Sequence, residues 1–148
     1  MEPLTVFLDS NVLFSIGWSG AETSRAYILF ELQKQGMLRL FISPLVMEET
    51  LSNITSKKPA AMPFVLELLN STSLVPDAKC SITDEKLRCL PNNDRILLQT
   101  AIAHGIGWFI TGNSRDFQPL YGCRIGHTTV ATPRNFLENQ ELHGESAE

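Results

Sequence analysis

Apolar and polar positions along this chain keep two rhythms. Short unbroken apolar runs recur, and between them lie longer stretches whose apolar residues fall three and four apart. The first run is "LTVFL" (Leu4–Leu8), which the polar "DSN" ends at Asp9. An unbroken run of that length reads as a strand buried on both faces. "TSRAYILFELQKQG" (23–36) follows with helical spacing, and Gly36 stops it. "LRLFIS" (38–43) is a second strand. In "SPLVMEETLSNI" (43–54), Ser43 is a capping residue and Pro44 suits the first helical position. "PAAMPFVLELLN" (59–70) predicts a helix entered near Pro59 and disturbed by Pro63. "TSLVPD" (72–77) is a third, strand-like piece. From 77 to 93 the pattern is least regular and predicts a loop with a helical turn around "TDEKLRCL". "NNDRILLQTAIAHG" (92–105) is a helix opened by Asn and Asp and closed by Gly105. "GWFIT" (107–111) and "GHTTVATP" (126–133) are the fourth and fifth strands, and "PRNFLENQE" (133–141) is a last helix.

This order, β-α-β-α-α-β-α-β-β-α, predicts an α/β fold: a central, mostly parallel sheet of five strands with helices on both faces. One domain is expected over residues 1–140, with 141–148 a frayed tail. In open sheets of this kind the working site lies outside the carboxyl ends of the strands. The polar residues there are Asp9, then Ser43 with the glutamates after it, then Thr111 to Asp116. Asp94 opens a helix instead. A carboxylate suits a helix N-terminus, so for Asp94 taken alone helix capping is preferred to chemistry.

Composition narrows the class. The chain has 148 residues, 43% hydrophobic and 19% charged, which suits one globular domain with a real core. No apolar run has the length of a membrane span, and the N-terminal stretch lacks a basic segment and a cleavage pattern. A cytoplasmic protein is the expectation. The three cysteines (Cys80, Cys89, Cys123) are odd in number and lack Cys-x-x-Cys spacing, which predicts reduced thiols. The net charge of −4 weighs against binding nucleic acid through a broad basic face. Acids gathered around a metal would also make a chain acidic.

Several carboxylates at one sheet edge repel one another unless protonated or neutralised by a cation. Oxygen ligands without His or Cys suit Mg²⁺ or Mn²⁺, and such ions serve phosphodiester hydrolysis.

Four segments, "VFLDSNVLFS", "SPLVMEETL", "NDRILLQTAIAHG" and "FITGNSRDF", together resemble the PIN-domain family, which includes the VapC-type toxins. Their order and spacing agree from Leu4 to about Leu137. The resemblance implies a PIN-like three-layer α/β/α fold and an Mg²⁺- or Mn²⁺-dependent endoribonuclease site. It also implies an RNA substrate and the role of a toxin with a cognate antitoxin, or of an RNA-processing factor. Carried over by position, Asp9, Asp94 and Asp116 are the metal-binding and catalytic aspartates. The fourth acid is a glutamate on the helix after the second strand. Periodicity does not choose between Glu48 and Glu49, because both flank the apolar face of Met47, Leu51 and Ile54. The family's count from Ser43 favours Glu49. Many members carry an aspartate where this chain has Asn113, whose amide supplies no charge. Ser10, Asn11, Thr111 and Asn113 are expected to support the acids by hydrogen bonds.

Arg115 and Trp18 are the candidates for holding substrate, the one by phosphate, the other by base stacking. Arg95 and Arg124 are expected on the surface, Trp108 in the core, and His104 at a helix terminus. The apolar stretches "AYILF" and "FVLELL" suggest a homodimer. Two other readings are open. A receiver-like or phosphatase-like Mg²⁺ protein would want "DxD" at the first strand, where this chain has "DSN", or a lysine after a late strand, which "FITGNSRDF" lacks. A non-catalytic RNA- or protein-binding module would have little use for the acids.

Overall fold

The computed structural model describes residues 2–80 and 85–147, with side chains as far as residue 140. Strand β1 (Leu4–Leu8) lies in the middle of the sheet, between β2 (Leu38–Ile42) and β4 (Trp108–Ile110), and runs parallel to both. Beyond β2 lies β3, only Ser73–Leu74, and beyond β4 lies β6 (Thr128–Ala131). These five strands are the parallel sheet that the apolar runs predict. Val6, Phe7 and Leu8 are consecutive and all fully buried. Successive strand residues point to opposite faces, so both faces of the sheet are covered. A sixth strand, β5 (Arg124–Ile125), adds an antiparallel edge against β6. Two residues in a hairpin show no readable alternation, which is why the pattern predicts five strands.

Seven α-helices are described. A helix that the apolar pattern does not predict is α1 (Ser10–Ser19), directly after β1. Asp9 caps it by accepting from the Ser10 N–H, and Gly20, at φ 85°, ends it by donating to the Ile16 carbonyl. Its buried side is Val12, Leu13, Ile16 and Gly17. A Cβ on Gly17 would stand 2.5 Å from Val65 Cγ2, so glycine lets the helices approach closely here.

A 3-10 turn (Arg25–Tyr27) leads into α2 (Ile28–Lys34). Helix α3 (Pro44–Lys57) begins as its sequence predicts, with the Ser43 hydroxyl accepting from Val46 N and Pro44 in the first turn. Pro63 does not disturb α4 (Met62–Asn70), because it sits in the first turn, where its missing N–H has no intrahelical partner. After α4 and β3, a 3-10 turn spans Glu85–Cys89. The first two residues of the helical turn expected there, Thr83 and Asp84, lie outside the described residues. Then follow α5 (Asn92–Ala103), the short α6 (Ser114–Phe117) and α7 (Pro133–Ala147). The backbone of α7 continues over residues 141–147, which the sequence reading treats as a tail.

The apolar stretches of α2 and α4 are mostly used inside: Leu29, Phe30, Val65, Leu68 and Leu69 are buried, leaving Ile28 and Leu66 exposed. None of the three cysteines forms a disulfide among the described residues. No helix among the described residues is long and apolar enough to cross a membrane.

Candidate active site at the carboxyl edge of the sheet

Register puts the site together. Leu8 pairs with Ile110 and Ile110 with Ala131, so Asp9 and Thr111 are the first residues past neighbouring strands. The ladder continues for one more step on each side: Asp9 N donates to the Ile110 carbonyl and Thr111 N to the Ala131 carbonyl, both at 3.0 Å. Both side chains are held at the same edge, and both residues are buried.

The Asp9 carboxylate, 2% exposed, is surrounded by donors. Oδ1 accepts from Ser10 N at 2.7 Å and Ser10 Oγ at 3.4 Å. Oδ2 accepts from Thr111 Oγ1 at 2.8 Å and Asn11 Nδ2 at 3.1 Å. Burial raises its pKa more than the Thr111 and Ser10 bonds lower it, and with the Glu49 charge added the carboxyl is pushed up to about 6. Asn11 also donates to Thr111 Oγ1 and accepts from Gly112 N, tying the start of α1 to the loop after β4.

Helix α3 brings the glutamate. Glu49 Oε1 accepts from Ser10 Oγ at 3.1 Å, and Oε2 lies 3.5 Å from Asn93 Nδ2 on α5. Glu48 is exposed. Tertiary packing thus distinguishes two neighbours that periodicity leaves equivalent. Asn93 is a contact the sequence reading does not anticipate, although its place beside Asp94 at a helix start was a usable signal.

Asp94 makes no capping bond. Helix α5 starts after Pro91 without a side-chain cap, and the Asp94 carboxyl turns toward the other acids. It is pushed up to about 7, first by burial, then by the Asp9 charge, by a hydrogen bond shared with Asp116, and by the charges of Asp116 and Glu49. Asn113 sits against Asp94 and Asp116: its Nδ2 donates to Asp116 Oδ2 at 2.9 Å and lies 3.5 Å from Asp94 Oδ2. Its Oδ1 caps α6 by accepting from Asp116 N. Where an aspartate would add a fifth charge, the amide donates to two carboxylates.

The four acids therefore gather at one edge. No three of the described His, Cys, Asp and Glu side chains are spaced to clasp a single ion as they stand. The four acids offer carboxylate oxygens and no described His or Cys joins them, a ligand set that fits Mg²⁺ or Mn²⁺ rather than zinc.

The family model for the PIN domain matches residues 6–121, from within β1 through the four acids to just beyond α6. The chain belongs to the PIN domain family. Members of this family are generally nucleases. The fold is similar to that of VapBC2 from Rickettsia felis bound to a DNA fragment from its promoter: TM-score 0.62, 20% identity, covering 86% of this chain and 97% of that one. DNA-bound VapBC from Salmonella typhimurium gives a TM-score of 0.63 at 16% identity, over 88% and 98% of the two chains. VapBC-1 from nontypeable Haemophilus influenzae gives 0.54 at 16%, over 87% and 98%. No curated protein matches the sequence.

The remaining candidates separate clearly on this PIN domain. Arg95 is structural: its guanidinium donates to the carbonyls of Leu87, Arg88 and Leu90, fastening the 3-10 turn to α5. Arg124 bonds the Gly126 carbonyl within its own hairpin. Arg115 is exposed next to Asp116, with no hydrogen bond or ion pair among the described residues. His104 caps the end of α5 and bonds the Pro76 carbonyl. Trp108 packs edge-on against Phe136, with centroids 5.0 Å apart. Trp18 is 49% exposed on α1.

Tyr121 is a neighbour of the site that no motif announces. Its hydroxyl oxygen is enclosed and has no hydrogen-bond partner among the described residues. Burial and the nearby Asp9 charge both raise its pKa. An enclosed hydroxyl without a partner contributes nothing to stability and retains its desolvation cost. Tyr121→Phe is therefore expected to leave the protein as stable as wild type or more so, by about 1 kcal/mol. A melting curve checks this, and a loss of stability would mean that the hydroxyl has a partner after all.

Proposed function

We propose that this PIN domain is a metal-dependent endoribonuclease that hydrolyses phosphodiester bonds of RNA, and that it acts as the toxin of a toxin–antitoxin pair. The observation that carries the first part is the cluster itself. Asp94 stands within the charge of Asp9, Asp116 and Glu49, Asp9 is buried, and both Asp9 and Asp94 are driven toward protonation. Such a site calls for a cation at neutral pH. The toxin reading rests on similarity to the VapBC structures, with a cognate antitoxin as the implied partner.

In this reading Asp9, Asp94 and Asp116 would hold Mg²⁺ or Mn²⁺ once the carboxylates close around the ion from their present wider spacing. The bound ion would acidify water and offset charge on the phosphodiester. Ser10, Thr111 and Asn11 fix the orientation of Asp9, and Asn113 orients Asp116. Glu49, held by Ser10, takes the proton of the attacking water. The water oxygen bonds to phosphorus as the opposite P–O bond breaks. Arg115 meets the phosphate oxygens from the rim.

The test is cleavage of a labelled single-stranded RNA in Mn²⁺, in Mg²⁺ and in EDTA. Cleavage with either metal and none in EDTA is expected. An intact substrate in all three, with folded protein, would leave the non-catalytic binding module as the better account.

A further inference from the structure

The exposed aromatic surface of α1 has no role in the chemistry above. Phe14 and Trp18, one helical turn apart, place their rings 5.8 Å centroid to centroid. Two lysines at the end of α3 stand over them. Lys57 Nζ is 5.5 Å from the Phe14 centroid. Lys58 Nζ is 5.0 Å from that of Trp18 and is tethered by a 2.6 Å bond to the Trp18 carbonyl. Neither lysine is paired with a carboxylate among the described residues. Phe14, Trp18 and Lys57 line a surface concavity of about 600 Å³ together with Ser15 and Ser19.

This concavity does not stand alone. Ser15 and Ser19 also line a second one, of about 460 Å³, which reaches Gly112 and is flanked by Arg25 and Arg134. Gly112 directly follows Thr111, the residue that bonds Asp9. Arg134 is held by Glu138, whereas Arg25 has no partner among the described residues. The two concavities share Ser15 and Ser19, so one surface runs from Gly112 past cationic side chains to the Phe14 and Trp18 rings. By the helix rise, Trp18 lies about 12 Å along α1 from Ser10. That is a span of a few nucleotides.

We infer that the Phe14–Trp18 groove with Lys57 is a nucleobase-stacking subsite for single-stranded RNA, holding the strand a few nucleotides away from the bond to be cut. The inference rests on the ribonuclease reading and adds where the strand lies. The charges favour nucleic acid over an apolar polypeptide. Among its described residues, a chain with net charge −4 keeps cations unpaired with carboxylates along this surface, beside a Trp18 that is 49% exposed. Stacking with flanking cations is how single strands are bound without sequence readout.

The experiment is binding of a fluorescein-labelled oligouridylate in EDTA, by anisotropy, so that neither metal nor cleavage enters. Trp18→Ala is expected to weaken binding about tenfold or more, and Trp18→Phe to restore most of it. Lys57→Gln and Arg25→Gln should each lower the slope of log affinity against log salt by about 0.7. Circular dichroism verifies the fold of each variant. Unchanged affinity in Trp18→Ala overturns the inference, and a polypeptide then becomes the better occupant for the groove. Metal-dependent cleavage is read in parallel. If wild type cleaves while Trp18→Ala binds as tightly as wild type, the subsite fails and the ribonuclease stands. If wild type neither binds nor cleaves, both fall.

Discussion

Asp9→Asn is expected to lower RNA cleavage by about a hundredfold or more while the protein stays folded. Outer partners of a metal site are typically worth about 10- to 100-fold, and Asp9 is proposed to be a direct ligand. The substitution keeps the shape and removes the charge. It also replaces an acceptor with an NH₂ group, which meets either the Ser10 N–H or the Asn11 Nδ2. The folding core beneath it, Val6 to Leu8, is untouched. The comparison that sharpens the result is Glu49→Gln against Glu48→Gln. Glu49 bonds Ser10 beside Asp9 and should lose activity by a similar order, whereas the exposed Glu48 should behave as wild type. Equal activity of Asp9→Asn and wild type in Mn²⁺ would remove Asp9 from the site. Equal effects at Glu48 and Glu49 would remove the distinction drawn from packing.

The second large effect is on stability against pH, without metal. In the unfolded chain Asp9 and Asp94 are ordinary carboxyls near 3.8, and in the fold they are raised to about 6 and about 7. Below pH 3.8 both states hold the protons and nothing is lost. Above it the unfolded chain releases protons that the fold retains, so stability falls as pH rises and the loss is complete once the folded groups have ionised. For buried Asp9 the loss is about 3 kcal/mol. Asp94 adds in the same direction, with a smaller share because it is partly solvated. In Asp9→Asn the Asp9 part is absent, while any cost of the misplaced amide is the same at every pH. The stability of the variant relative to wild type, in EDTA, should therefore rise by about 3 kcal/mol between pH 3 and pH 7.5. For a chain of this length that is roughly 6–12 °C in melting temperature. Mn²⁺ at a hundred times its dissociation constant should return about 2.7 kcal/mol to wild type at pH 7.5 and much less to the variant. A difference between the two proteins that stays constant across this pH range would mean that Asp9 carries no such strain.

Much of this could be read from sequence by itself. The apolar runs at 4–8, 38–42 and 108–110 determine which segments are buried strands, because no polar face is left for water. Ser43–Pro44 and Gly105 determine where two helices start and stop, through bonds local to the backbone. The order of the four segments around Asp9, Glu49, Asp94 and Asp116 is enough to recognise the family.

Other features are decided by contacts between residues far apart in the chain. Helix α1 has a cap, a buried stripe and a terminal glycine, but its stripe is interrupted by Gly17, whose fitness depends on Val65 across the helix interface. The two-residue β5 exists only through its pairing with β6. Glu49 is distinguished from Glu48 by Ser10, 39 residues away, and Asp94 turns from helix cap to member of the acid cluster because α5 places it beside Asp116 and Asn113. Tyr121 comes near Asp9, and Lys57 and Lys58 come over Phe14 and Trp18, with no local pattern to announce either. Periodicity reports which face of an element is apolar. Which charged or polar neighbour a side chain meets across that face is a property of the packed sheet and its helices.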